Sequence, residues 1–445
     1  MKPLVAMLLA AASATLYAQA PGPIALRGAR VVTVSGPVLE KGTVLLRNGL
    51  IEAVGENVDL PKDAWVVEGQ GVTVYPGLID ALSTVGLPET PASQPQAGRT
   101  PAAPTFGPQG PVEPLEQGPQ FRPSTTTWIR AADLLNPADT RIEVTRSAGF
   151  TSVAAFPSSG IFAGEGAFLN LSGEKQGRMV VASPVGQYAT LSSRGFGTYP
   201  GSLMGVIAYI RQVSLDADHY QLEMQAYAGH PAGHKRPNYD RAVEGLLESP
   251  RLLLPADNAV QIDRMLHFAA ELKRPAVLYG GHAAYAVADK VAQSKTPLLI
   301  DLKWPERSKD ADPDQPDSMR TLELRDRAPS APAALEKAGA RFAFYSGGAA
   351  AKDIRTAVKR AIDAGLPEAA AVRALTLSAA EIYGVADRVG SIEPGKIANL
   401  LVFKGNLFDE KTKIEYVFID GVKYEPAPEA PPGERGGRPE PGGLQ

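Results

Sequence analysis

The sequence predicts an α/β protein in two units: a core in which strands alternate with helices, and a small β unit divided between the two chain ends. Three observations predict it. Apolar runs of strand length at 151–156, 252–254, 276–279, 297–300 and 342–345 are separated by stretches of helical character, which favours a parallel sheet wrapped in helices. Short β-branched runs fill residues 24–75 and β character returns at 400–424, so the two ends are expected to form one composite domain. A length of 445 residues also exceeds what one simple core usually organises.

With 44% hydrophobic and 21% charged residues the chain is globular, and a net charge of −3 gives no reason to expect nucleic acid or an anionic membrane as partner. Residues 1–20 read as a secretory signal peptide: Lys2, an apolar run from Leu4 to Leu16, then Ala18-Gln19-Ala20. The run is too short to span a bilayer, and no transmembrane segment is expected. Pro21 is awkward directly after a cleavage point, so cutting after Ala18 competes with cutting after Ala20. The chain has no cysteine, which rules out disulfides and a lipid-anchored Cys. A soluble periplasmic or secreted protein is the expectation.

In the N-terminal unit, Ala29–Val34, Thr43–Arg47, Ile51–Val54, Ala64–Val67 and Val72–Tyr75 form an antiparallel run, with Asn48-Gly49 as a hairpin turn that tolerates positive φ. Ten prolines between Pro88 and Pro123 forbid regular structure, so 88–123 is an irregular insertion where the core begins, either a surface loop or an ordered cover. Asp139–Ala148 is helical, and Phe168–Leu171 and Met179–Ala182 are short strands. Ile262, Met265, Leu266, Ala269 and Leu272 recur at helical spacing and face the sheet, while His267 falls off that stripe. Ile354, Val358, Ala361 and Ile362 form a second stripe ending near Gly365, after which Pro367-Glu368 opens another helix. Asp420-Gly421 is a second tight turn, and the tail 426–445 has too little apolar content to fold.

Two stretches carry a resemblance to a known family. Tyr75-Pro-Gly-Leu-Ile-Asp80 resembles the first barrel strand of the amidohydrolase superfamily, and Thr376-Leu-Ser-Ala-Ala380 with Val389-Gly-Ser-Ile-Glu-Pro-Gly-Lys396 is similar to its C-terminal signature. Glycine-rich Gly149–Val153 and Gly160–Gly164 extend the match over nearly all of 24–425. The resemblance implies a distorted (β/α)8 TIM-like barrel over 76–392. It also implies a small β-sandwich assembled from 21–75 and 393–425. The activity implied is hydrolysis of C–N bonds other than peptide bonds, as in imidazolonepropionase-like members, with a divalent metal lowering the pKa of bound water from about 15.7 to about 7.

The ligands that such a metal requires are missing at the strand ends. The family's His-X-His falls on Leu82 and Thr84. Pro255 stands at the fifth strand and Gly280 at the sixth, Ser346 and Gly347 replace the aspartate of the eighth, and the late Ala-Asp-Leu reads Ala-Asn399-Leu. Water and amides bind such ions too weakly to substitute. The histidines offer little else: His219, His230 and His234 share one segment, but Pro231 and Gly233 break any helix that would align the last two. His282 lies just past a barrel strand, with Asp257, Asp301 and Asp80 at neighbouring ends.

The expectation is therefore an exported pseudoenzyme without metal or other cofactor, which binds a small-molecule ligand or supports an active homologue. Its pocket at the barrel mouth is expected to involve Asp80, Thr84, Asp257, Asn258, His282, Asp301 and Ser346. One rival is a zinc hydrolase with rearranged ligands around His282, Asp257 and Asp301. A nucleophilic set of Ser346, His282 and Asp301 is weaker, because no nucleophile elbow surrounds Ser346. A third reading is a structural subunit of a hetero-oligomer.

Overall fold

The computed structural model describes residues 22–88, 122–173, 175–192, 199–308, 310–312, 314–409 and 411–426. The stretch expected to be a signal peptide, nearly all of the proline-rich stretch and nearly all of the tail lie outside them.

Both chain ends meet in a single eight-stranded sheet. Leu400–Phe403 lies antiparallel to Thr73–Pro76, pairing Leu401 with Tyr75, and Ile414–Ile419 and Val422–Tyr424 extend that side. On the other side Ile24–Val31 is followed by Leu39–Arg47 and Leu50–Gly55. The two expected tight turns form: Asn48 and Gly49 have φ of 52° and 81°, and Asp420 and Gly421 have 52° and 72°. The expectation of a wholly antiparallel N-terminal unit needs correction, because Trp65–Glu68 and Thr73–Pro76 both run parallel to Ile24–Val31. A two-residue turn forces antiparallel pairing, whereas the longer connection after Gly55 leaves the direction free.

The core is a barrel. Its walls are Leu78–Ser83, Phe150–Ala155, a kinked third strand made of Phe162–Glu165 and Ala167–Asn170, then Gln187–Ala189, Leu252–Ala256, Ala276–Gly280, Leu298–Asp301 and Phe342–Tyr345. The last strand packs beside the first and closes the ring. Neighbours are parallel except at the third strand, which is antiparallel to both of its own. That strand changes partners at Gly166, where a Cβ would stand 2.1 Å from the Phe156 ring, so only glycine allows the crossing.

Alternation along each strand sorts side chains into two cores. Ile79, Ala154, Leu253, Val277, Leu299 and Ala343 fill the barrel, while Leu78, Val153, Leu252, Leu254, Leu298 and Phe344 face the helices outside. Burying each of the larger aliphatic chains contributes about 1.5–3 kcal/mol. The helix Ala259–Leu272 shows how the outer layer is specified. A reciprocal capping box between Asn258 and Gln261 starts it, and Ile262, Met265, Phe268, Ala269 and Leu272 are buried. His267 is exposed, as its place off the stripe requires. The sequence reading assigned no helix to Leu203–Gly229, although Val206, Ile210, Val213 and Ala217 carry its buried stripe.

The junction between sheet and barrel explains two motif residues. A Cβ on Gly77 would fall 2.0 Å from Thr151 Oγ1, so the backbone can enter the barrel there only without a side chain. Asn399 donates through Nδ2 to Asn170 Oδ1 (2.9 Å) and Ser152 Oγ (3.2 Å), and its Oδ1 accepts from the Asp420 backbone N–H (3.0 Å). Asn399 is thus a structural clasp at the junction. Counting it among the lost ligands is corrected here, since it lies on the face of the barrel opposite the mouth strand ends, against the terminal sheet.

Candidate functional site

A cavity of about 610 Å³ opens at the carboxyl ends of the parallel barrel strands. This is where barrels of this kind place their ligand sites, because loops of many strands converge there. Its floor and walls come from different elements: Asp80 lies in the first strand and Thr84 just after it, Phe156 follows the second, Tyr188 belongs to the fourth, Tyr279 to the sixth, Asp301 to the seventh and Tyr345 to the eighth, with Ser346 just past it.

Asp80 is 2% exposed. One oxygen, Oδ1, accepts the Ser346 backbone N–H at 2.9 Å and leans toward the Leu82 N–H at 3.5 Å, so this carboxylate ties the first strand to the eighth. Burial pushes its pKa up to about 6, with the Ser346 and Leu82 donors pulling the other way. Asp301 accepts the Lys303 backbone N–H at 2.7 Å and, through Oδ2, the Tyr345 hydroxyl at 3.4 Å. Burial raises its pKa as well. The Tyr345, Tyr279 and Tyr188 phenols are all held above their ordinary range by burial, so they stay neutral donors.

The rings form a continuous aromatic floor. Tyr188 and Tyr279 stack with centroids 5.1 Å apart, and Phe156 lies 5.9 Å from Tyr188 and 6.0 Å from Tyr383 beneath. Tyr279 donates to the Ala189 carbonyl at 2.9 Å, which fixes the ring across the barrel axis. Arg141 reaches the rim from the helix Thr140–Ser147, but its guanidinium is held by the Asp139 carboxylate at 2.7 Å and by the Leu87 carbonyl.

Of the residues expected at the mouth, Asp80, Thr84, Asp301 and Ser346 line this cavity. Asp257 is exposed beyond the fifth strand, and Asn258 is spent as a helix cap. His282 stacks against Trp304 at 5.9 Å, and its Nε2 lies 3.2 Å from the Asp301 backbone carbonyl. A carbonyl only accepts, so Nε2 carries the proton. The sequence reading missed Tyr188, Tyr279 and Tyr345. The last two close apolar strands and were visible as strand-terminal aromatics; Tyr188 sits on a three-residue strand that no periodicity reveals.

The comparisons agree with this geometry. Residues 259–423 match the amidohydrolase family. A crystal structure of an amidohydrolase from Thermotoga maritima MSB8 superposes with a TM-score of 0.73 at 26% identity, covering 90% of this chain and 100% of that one. The fold is that of the amidohydrolase superfamily. A prolidase crystallised with N-methylphosphonate-L-proline superposes at a TM-score of 0.52 and 16% identity over 91% of this chain and 99% of that one, a likeness of fold alone. An adenine deaminase from Moorella thermoacetica is 39% identical over 64 residues, which span 14% of this chain and a tenth of that enzyme's length.

The amidohydrolase fold usually holds a divalent metal at this mouth, and such an ion sets demands on its ligands. A catalytic zinc takes three protein ligands, with imidazole prominent among them. The cavity presents two carboxylates, one committed to backbone N–H groups, and neutral phenols. Among the described residues no group of three or more His, Cys, Asp or Glu stands together to hold an ion. The donor set does not fit a zinc centre.

Proposed function

We propose that this amidohydrolase-fold protein is a pseudoenzyme that binds a small organic molecule at the barrel mouth and does not hydrolyse it. The observation that carries the reading is the replacement of a ligand sphere by an aromatic floor: Tyr188, Tyr279, Tyr345 and Phe156 line the mouth where imidazole and carboxylate ligands to a metal would be needed. An amide is stable at neutral pH unless hydroxide is generated beside it, and binding energy alone does not supply that nucleophile. A cavity of about 610 Å³ with an apolar floor and a few convergent polar groups suits a small ligand. Export through the N-terminal signal belongs to the same proposal. No helix among the described residues is long and apolar enough to cross a membrane.

The rival hydrolase would assemble a metal from His282, Asp257 and Asp301. Against it stands the spacing of the set, since among the described residues no group of three or more His, Cys, Asp or Glu stands together to hold an ion. Elemental analysis of protein purified without chelators separates the two. Zinc well below one equivalent per chain is expected, and near-stoichiometric zinc overturns the pseudoenzyme reading.

A further inference from the structure

We propose that the mouth cavity selects a ligand carrying a cationic amine on an aromatic or apolar body. The inference rests on the ligand-binding reading above and adds the charge of what is bound. Two carboxylates, Asp80 and Asp301, line the cavity, and neither makes a side-chain ion pair among the described residues. Their hydrogen bonds come from backbone N–H groups, the Ser83 and Ser346 hydroxyls and a phenol, which orient the oxygens but bring no positive charge. The one arginine on the wall, Arg141, is already neutralised by Asp139. His282, outside the lining, hydrogen-bonds the Asp301 backbone carbonyl and when protonated favours the charged Asp301 carboxylate. The wall therefore carries anionic charge in a partly desolvated space, and desolvated carboxylates favour a cation close by.

The aromatic floor points the same way. Phe156, Tyr188 and Tyr279 pack as successive tilted rings, and Tyr345 touches the Asp301 carboxylate. Ring faces attract a cation through their quadrupole, most strongly where water is excluded. A carboxylate set beside several aromatic faces is the arrangement that recognises ammonium groups. An anionic ligand would meet two carboxylates with no free cation to answer it, and a neutral one would leave them unpaired.

Calorimetric titration of the full chain with benzyltrimethylammonium, benzyl alcohol and benzoate tests this, since the three probes share a ring and differ in charge. The ammonium probe is expected to bind at least about tenfold more tightly than either of the others, and to weaken as salt is added. Asp301→Asn is expected to remove about tenfold of that preference and leave benzyl alcohol unchanged; circular dichroism checks that the variant is folded. Should it fail to fold, the probe series and salt dependence of the unmodified protein decide the question by themselves. Equal or tighter binding of benzyl alcohol or benzoate, no binding of the ammonium probe, or indifference to Asp301→Asn overturns the assignment. Those results leave the pseudoenzyme reading standing, whereas stoichiometric zinc overturns that reading whatever the probes do.

Discussion

The buried carboxyl of Asp80 makes the stability of this protein depend on pH in a direction opposite to that of most surface carboxylates. Its pKa is about 6 in the folded chain against an ordinary 3.8. The folded state therefore holds the proton more tightly than the unfolded state does. The contribution is fully present below about pH 4, is lost as pH rises through 6, and stays lost above it. A displacement of roughly two pH units at about 1.4 kcal/mol each makes the loss about 3 kcal/mol. With 2% of the residue exposed, solvent screening scarcely reduces that figure. Asp80→Asn keeps the acceptor for the Ser346 N–H and removes the titration. Urea denaturation of both proteins between pH 4 and 8 reads the difference. The variant should gain on the parent by about 3 kcal/mol across pH 4–6 and run parallel to it above. A difference that does not change with pH, or one in which the parent gains as pH rises, refutes the placement of this carboxyl in a desolvated site.

Other perturbations follow from the junction and the floor. Gly77→Ala puts a methyl 2.0 Å from Thr151 Oγ1 in the buried link between the terminal sheet and the first barrel strand, so a loss of about 3 kcal/mol or more, or no soluble protein, is expected by chemical denaturation. Asn399→Asp, the residue usual in the amidohydrolase signature, sets a carboxylate against Asn170 Oδ1; about 2 kcal/mol of stability should be lost, with no gain of zinc by elemental analysis. Tyr383→Phe removes the hydroxyl that donates to the Ala81 carbonyl inside the barrel, and should cost about 1–3 kcal/mol in the melting of the whole domain.

Much of the architecture was legible because it rests on local patterns. The two tight turns, the apolar stripe from Ile262 to Leu272 and the strand runs ending in Tyr279 and Tyr345 each follow from a handful of adjacent residues. Pairing direction after Gly55 was not legible, because nothing in a loop's own residues fixes which edge the next strand joins. Half of the third strand escaped for a similar reason: Phe168–Leu171 reads as a strand, but the two halves pair with different neighbours about Gly166, and glycine in sequence marks only that something bends.

At the mouth the division is sharper. The sequence by itself determined that imidazole is missing at Leu82, Thr84, Pro255 and Gly280, since a residue type is independent of how the barrel closes. It also determined that both chain ends carry strands with matching turn chemistry, and these meet in one sheet. Only the tertiary structure decided what takes the vacated space. Strand periodicity tells which residues share a face, but the height at which each side chain enters the barrel depends on the stagger between strands. That stagger brings Tyr188, Tyr279 and Tyr345 together with Asp301, while Asp257 stays exposed at the rim, near enough for its charge to act on Asp301, and Asn258 caps a helix. The same closure turned Asp80 from a motif residue into a buried carboxyl shared by the first and eighth strands.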